Sequence, residues 1–516
     1  MIKEINFNIL LLIFFAITFI GTILQSIYTY DPFHTGLIAQ SALDLNSQKL
    51  PYKDFFIHYG FFVTLVQSLI MKISNNDIIY LMYFSALTYA IGNLLLCQLI
   101  KKFTDLNYAS LASILLFSSQ PFANFAWANY LVYFLLISAT ILIFKKKRVE
   151  IFFSGLLFSL MCLSYENLYL IFIIILFYIF LKKSCFFTFI SGFLLPLLIF
   201  HTYLFINNLH LYWYKTFFLN NVFLDIYQIT ITELIINYFK IFLSKIIFNM
   251  FTEPQFLLYF LILIFNLIFI FIFIKNYKKN KNLSENILSL LLISLLSLFF
   301  YATTLHKLNS FRFSTGPVIG IIIFFYIIKK TNFVSFKKYF LTFITLLIFS
   351  TSITPIKKEN NRFFPYFNEI NDNVKNKNID HFKSQIWPEE IWKNLNFIDN
   401  YTKEINKKCL EVKYFFNYTN DGFVYMIANK NLESFQYLHW YKDSRYHETL
   451  MKHYNPNYRI TLLDNLKKNN TILFIDSYTS TEVKKILKIE KYIIIKLPYN
   501  YYQKNISILI PDNCKI

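Results

Sequence analysis

The chain has 516 residues, a formal net charge of +20 and 56% hydrophobic residues. That apolar fraction lies above the roughly 45–50% of soluble domains and is gathered into blocks such as Ile9–Ile20, Phe256–Ile274 and Ile287–Phe300, which excludes an ordinary soluble enzyme. The basic excess does not call for nucleic acid: Lys, Asn, Ile, Phe and Tyr are over-used together, with 62 Phe and 38 Tyr, as an AT-rich coding sequence would produce, and no basic stripe lies on a soluble fold.

In chain order, the run from Ile5 to Ile27 is long and lacks a small-residue cleavage site, so it reads as a retained first span rather than a signal peptide. Spans are predicted near 6–28, 77–100, 108–119, 129–144, 150–165, 167–181, 185–206, 254–274, 287–304, 314–328 and 339–355, about eleven in all. Residues 55–72 are also apolar and helical, as a twelfth span or a re-entrant element in the interface. After Pro355 the apolar blocks stop. The predicted fold class is therefore a polytopic α-helical membrane protein, residues 1–355, followed by a small soluble α/β domain, residues 356–516. In that domain Thr471–Asp476 and Tyr492–Leu497 read as buried strands with a helix around Thr481–Ile489 between them, and Cys409–Phe416 is a further strand candidate.

Loop charges orient the spans. With the N-terminus inside, the inner segments carry 17 Lys and Arg against four acids, and the outer ones eight against eight. Each loop then obeys the positive-inside rule, provided that 55–72 does not cross. Eleven crossings place the C-terminal domain outside, in the periplasm of a Gram-negative cell. The expected localisation is the plasma (inner) membrane, multi-pass, with a cytoplasmic N-terminus. Cys409 and Cys514 could pair in such an oxidising compartment. Cys97, Cys162 and Cys185 lie in or beside apolar spans and read as buried small hydrophobes. No Cys-x-x-Cys or Cys/His cluster suggests a metal.

The first outward loop, 29–76, is the most informative stretch. It reads Thr29-Tyr30-Asp31-Pro32-Phe33-His34-Thr35-Gly36, then Pro51-Tyr52-Lys53-Asp54, then His58-Tyr59-Gly60. Pro32 suits the first turn of a helix because its missing N–H costs nothing there. Asp31 then stands at or beside the N-cap, and a plain capping role explains it as well as a chemical one does. Residues 33–46 predict a short amphipathic interfacial helix with Phe33, Leu37, Ala42 and Leu45 toward the membrane. Tyr30, Tyr52 and Tyr59 also fit an aromatic belt, and His34 an interfacial polar residue.

An acid directly after the first span, an interfacial helix, a Pro-Tyr-x-Asp turn and a Tyr-Gly before the next apolar stretch resemble the GT-C superfamily of membrane glycosyltransferases, closest to its polyprenyl-phosphate-sugar-dependent, protein-mannosyltransferase-like bacterial group. The resemblance covers residues 5–75, and Phe416-Asn417-Tyr418-Thr419-Asn420-Asp421-Gly422 resembles a segment of such proteins. It implies an inverting transfer of a sugar from a polyprenyl phosphate to an extracytoplasmic glycan, lipid or protein, with membrane lipids as further partners, no nucleic acid and no cofactor beyond the lipid-linked donor. It also implies Asp31 as the catalytic base. Where the family often carries a second acid before the fourth span, this chain has Trp127-Ala128-Asn129, and Asn129 hydrogen-bonds but takes no proton.

Such a transfer needs a base for the acceptor's proton and cations for the departing phosphate. His306, Lys307 and Arg312, in a short outward loop before a span, are the phosphate candidates, though the two longer cations also fit snorkelling to headgroups. His34, Tyr52, Asp54, His58, Tyr59, Asn129 and Glu166 complete the expected substrate-binding set, Glu166 doubling as a turn residue. The rival classes are a transporter or flippase of lipid-linked glycans, and an inactive scaffold motivated by Asn129. A transporter predicts inverted repeats and Gly/Pro-broken spans, whereas glycine here totals nine.

Overall fold

A computed structural model of the chain describes residues 2–57, 59–119, 125–145, 147–182, 185–219, 230–248, 254–279, 284–304, 310–331, 339–346, 373–375, 379–419, 421–434, 470–476, 492–498 and 506–514. The first ten helices are α1 (Ile2–Tyr28), α2 (His34–Asn46), α3 (Phe61–Ile73), α4 (Ile79–Phe103), α5 (Leu106–Ser119), α6 (Ala128–Ile143), α7 (Arg148–Ser164), α8 (Ile171–Lys182), α9 (Phe186–Ile206) and α10 (His210–Leu219). Helices Ile231–Phe248, Gln255–Lys279, Glu285–Thr303 and Ile321–Lys330 complete the apolar bundle, with a further one over 339–346.

The chain is a multi-pass helical membrane protein. Five helices among the described residues are long and apolar enough to cross a bilayer unaided: Glu4–Tyr28, Ile79–Phe103, Phe186–Ile206, Gln255–Lys278 and Glu285–Thr303. Other predicted spans are shorter helices. Two open on 3-10 turns, Glu166–Leu170 before α8 and Pro317–Gly320 before Ile321–Lys330. Within these turns Leu168 and Val318–Gly320 are buried in protein. The 55–72 segment becomes α3, whose 13 residues rise only about 20 Å, too little for a hydrocarbon core of about 30 Å.

The C-terminal sheet has strands β3 (Tyr414–Asn417), β4 (Glu433–Ser434), β5 (Thr471–Ile475), β6 (Tyr492–Lys496) and β7 (Ser507–Pro511), in the order β4-β3-β5-β7-β6. The pairs β3–β4 and β3–β5 are parallel, while β5–β7 and β6–β7 are antiparallel. A small hairpin-like pair, β1 (Asn373–Lys375) and β2 (Ile386–Pro388), precedes them. Beside the sheet lie helices Glu389–Lys408 and Gly422–Ala428. Thr471–Ile475 is a buried strand as expected, Cys409–Phe416 becomes a strand only from Tyr414, and Tyr492–Lys496 is a strand but not a buried one, because it is the edge of the sheet with Ile493 and Ile494 exposed. The helix expected at 481–489 lies outside the described residues. Cys409 and Cys514 form a disulfide with Cα atoms 5.6 Å apart, tying the end of the first of these helices to the chain after β7.

The hydrophobic core of this part is shared with the bundle. Tyr30, Ile38, Ala39 and Ala42 pack in one cluster with Trp387, Phe423, Tyr425 and Phe474. This corrects the expectation that Leu37 and Ala42 of α2 face the membrane. Leu37 and Ala42 are buried in protein, and so are the polar Gln40, Ser41 and Asp44 on its other side. Its second partner is a protein surface supplied by residues almost 400 positions later, so its face pattern could not point to lipid alone.

Candidate active site

The backbone around Asp31 is held from both sides. The Trp387 indole N–H donates to the Thr29 carbonyl at 3.1 Å, and the Tyr30 hydroxyl donates to Asp421 Oδ2 at 3.1 Å. The Tyr30 ring sits edge-on to Trp387 and Phe423, with centroids 4.8 and 5.1 Å away. On the other side the Gly422 N–H donates to the Pro32 carbonyl at 2.9 Å. Asp421 in turn caps its own helix by accepting from the Phe423 and Val424 N–H groups.

Asp31 Oδ1 accepts from the His34 N–H at 3.1 Å and faces His34 Nδ1 at 3.2 Å. Its Oδ2 accepts from the Thr35 N–H at 2.9 Å and the Thr35 hydroxyl at 3.1 Å. Asp31 therefore does cap α2. Burial by itself would raise its pKa, but the His34 bond and charge and the two backbone donors outweigh this and hold the carboxyl below its usual range. It is ionised at neutral pH, at the positive end of a helix.

A shelf of aromatic rings adjoins this carboxylate. His34 stacks on Phe125 with centroids 5.4 Å apart, and the Ala126 N–H donates to the Thr35 hydroxyl at 3.3 Å. Phe125 also packs on Phe311 at 4.8 Å and on Trp127 at 6.1 Å. The Arg312 guanidinium lies over the Trp127 ring at 5.7 Å. Asn129 follows in the first turn of α6, and its Oδ1 is buried without a hydrogen-bond partner. Of the residues singled out from sequence, ring and hydrogen-bond contacts thus link Asp31, His34 and Arg312 through one shelf, with Asn129 two positions after its Trp127. Phe125 and Phe311, which carry it, gave no signal beyond apolarity.

A second cluster lies at the end of α7. Tyr52, buried and in the left-handed region at φ 67°, donates its hydroxyl to Glu166 Oε1 at 2.8 Å. Burial pushes the Glu166 carboxyl up to about 7, against the opposing pull of hydrogen bonds from Tyr52 and Trp213. Tyr59 bridges toward this cluster through the Tyr165 ring at 6.0 Å. Gly60 presses so close to α7 that a Cβ there would fall 2.4 Å from the Leu163 carbonyl oxygen, so only glycine fits. Asp54 joins neither group: it is exposed and accepts from the Leu50 N–H at 2.7 Å, a turn role. His58, His306 and Lys307 lie outside the described residues.

A third buried carboxylate was not anticipated from the sequence as a site residue. Asp44 in α2 binds Lys49 Nζ at 2.8 Å and accepts from the Tyr425 hydroxyl at 2.8 Å. Its signal was an acid four residues into the second half of an apolar helix, with a lysine five residues on. Among the described residues no three His, Cys, Asp or Glu side chains converge as metal ligands.

The sequence matches no family model, and no curated protein matches it. Its structure is similar to that of the oligosaccharyltransferase AglB from Archaeoglobus fulgidus, solved with an inhibitory peptide and a dolichol-phosphate, with TM-score 0.51, 12% identity and coverage of 94% of this chain and 71% of that one. It is also similar to ArnT from Cupriavidus metallidurans, solved with undecaprenyl phosphate, with TM-score 0.54, 8% identity and coverage of 96% and 97%. The chain shares its fold with these two solved proteins.

Proposed function

We propose that the protein is an inverting glycosyltransferase that moves a sugar from a polyprenyl phosphate to an acceptor outside the cytoplasm. The observation that carries this reading is the Asp31 shelf: an ionised carboxylate beside an imidazole, with a guanidinium laid on the same aromatic surface. The transfer is one displacement. The acceptor hydroxyl attacks the anomeric carbon and gives its proton to Asp31, while the bond from that carbon to the phosphate oxygen breaks and the phosphate leaves with the electron pair. Arg312 meets that phosphate with paired donors. The full coverage of ArnT, solved with a polyprenyl phosphate, supports a lipid-carried donor. The Cys409–Cys514 disulfide supports an oxidising side for the C-terminal part, with the N-terminus cytoplasmic and the plasma membrane as the site.

The test is transfer of labelled sugar from synthetic polyprenyl-phosphate sugars to extracted cell-envelope acceptors by the purified protein. Arg312→Gln is expected to raise the donor KM more than it lowers kcat. Movement of lipid-linked glycan across vesicles without a new glycosidic bond would replace this reading by the transporter.

A further inference from the structure

Away from the shelf, a cavity of about 290 Å³ opens where α3 turns into α4, lined by Ile70, Ile73, Ser74, Asn75, Tyr80 and Lys383. None of these residues touches the Asp31 or Glu166 clusters in any contact described above. The cavity is built from two distant parts of the chain. Lys383 arrives on the 380–384 turn, and that turn is pinned by three hydrogen bonds: Ser384 Oγ to Asp77 Oδ2 at 2.5 Å, the Ile78 N–H to the His381 carbonyl at 3.1 Å, and His381 Nδ1 with the Asn76 carbonyl at 3.0 Å. The facing turn is tight, with Asn75 and Asn76 both left-handed at φ 53° and 64°. The turn that carries Lys383 is thus fixed before any ligand arrives.

The chemistry of the lining is divided. Lys383 is half-buried and makes no direct ion pair among the described residues, feeling the Asp77 carboxylate only at a distance while Asp77 accepts from Ser384, and the exposed Asn75 amide and Tyr80 hydroxyl make no hydrogen bond there. These are donors suited to an anion. The other side is apolar and continues out of the cavity: Leu65, Leu69 and Ile73 recur every four residues along α3 and are exposed, Ile73 at 83%. Such a stripe suits acyl chains, and the adjoining Tyr80–Tyr83 ring pair is the kind of aromatic group that favours headgroup level.

We propose that this cavity binds an anionic glycerophospholipid, its phosphate against Lys383, Asn75 and Tyr80 and one acyl chain along Leu65, Leu69 and Ile73. Such a lipid holds the C-terminal turn against the α3–α4 junction. The site is separate from the donor site and does not depend on transfer activity.

The test uses the full chain in detergent, reading lipid retained after delipidation and re-addition by lipid extraction and mass spectrometry. Phosphatidylglycerol is expected to be retained over phosphatidylcholine. Lys383→Gln is expected to lower phosphatidylglycerol retention about tenfold, the lower range for a lost hydrogen bond to a charged group. Ile73→Asn should lower it as well, and both side chains are exposed enough for the fold to persist, which an unchanged thermal transition confirms. Equal retention of the two lipids, or unaltered retention by Lys383→Gln, overturns the proposal. So does displacement of the lipid by millimolar inorganic phosphate, which would make the site one for free phosphate.

Discussion

Gly36 in α2 and Gly422 at the head of the Gly422–Ala428 helix meet backbone against backbone. A Cβ on Gly422 would fall 2.4 Å from the Gly36 carbonyl carbon, and one on Gly36 would fall 3.0 Å from Gly422 Cα. Neither obstacle is a flexible side-chain end, so the helices themselves must part. Gly422→Ala is expected to cost about 1–3 kcal/mol, in the range of overpacked cores. It should also slacken the Gly422-to-Pro32 bond beside Asp31. A lowered thermal transition together with a lower transfer rate is the expected pair of results. An unchanged transition would mean that the contact is not tight.

The Tyr30 hydroxyl tests the same clamp by chemistry rather than bulk. Tyr30→Phe keeps the ring contacts with Trp387 and Phe423 but leaves the buried Asp421 Oδ2 without this donor. The expected cost is about 1–3 kcal/mol, as for a buried acceptor stripped of its donor. Denaturant titration of wild type and variant measures it.

Asp44 gives a paired prediction. Burial raises its pKa even though Lys49 and Tyr425 both oppose this. Lys49→Met removes the cation and leaves a buried carboxylate, which should destabilise by on the order of 3 kcal/mol at neutral pH. The double variant Asp44→Asn, Lys49→Met removes both charges and is expected to recover most of that loss. A double variant as unstable as the single one would show that the ion pair is not the cause.

Glu166 sets a pH window. Its folded-state pKa of about 7 lies above the ordinary value of 4.5, so the folded state holds the proton more tightly than the unfolded one. Its contribution to stability is therefore complete below pH 4.5 and is lost as pH rises toward and through 7, by on the order of 3 kcal/mol. Glu166→Gln still accepts from Tyr52 but does not titrate. It is expected to flatten the fall in stability across that window and to be the more stable form above pH 7, as thermal melts at stepped pH would read.

The contrast between Asp31 and α2 marks how far the sequence could be read. Apolar length alone located α1, α4, α9 and the long helices after residue 254, because lipid imposes its demand within one segment. Asp31 as an N-cap was equally legible, since Pro32 and the following helix are local. The burial of α2 was not, because Gln40 and Asp44 answer to Tyr425 of the far C-terminal helix. The shelf under His34 was hidden for the same reason: Phe125 and Phe311 are brought together only by tertiary packing.

The most direct measurement is the transfer rate of Asp31→Asn. Asparagine keeps one acceptor oxygen for the end of α2 but cannot accept from both the His34 and Thr35 N–H groups as the carboxylate does, so it loses the base together with part of the cap, and the fold is read beside the rate. The expected result is a folded variant destabilised by about 1 kcal/mol, the cost of part of a cap, with a transfer rate at least about 100-fold lower, the lower range for a lost general base. A folded variant that transfers sugar at the normal rate would contradict it.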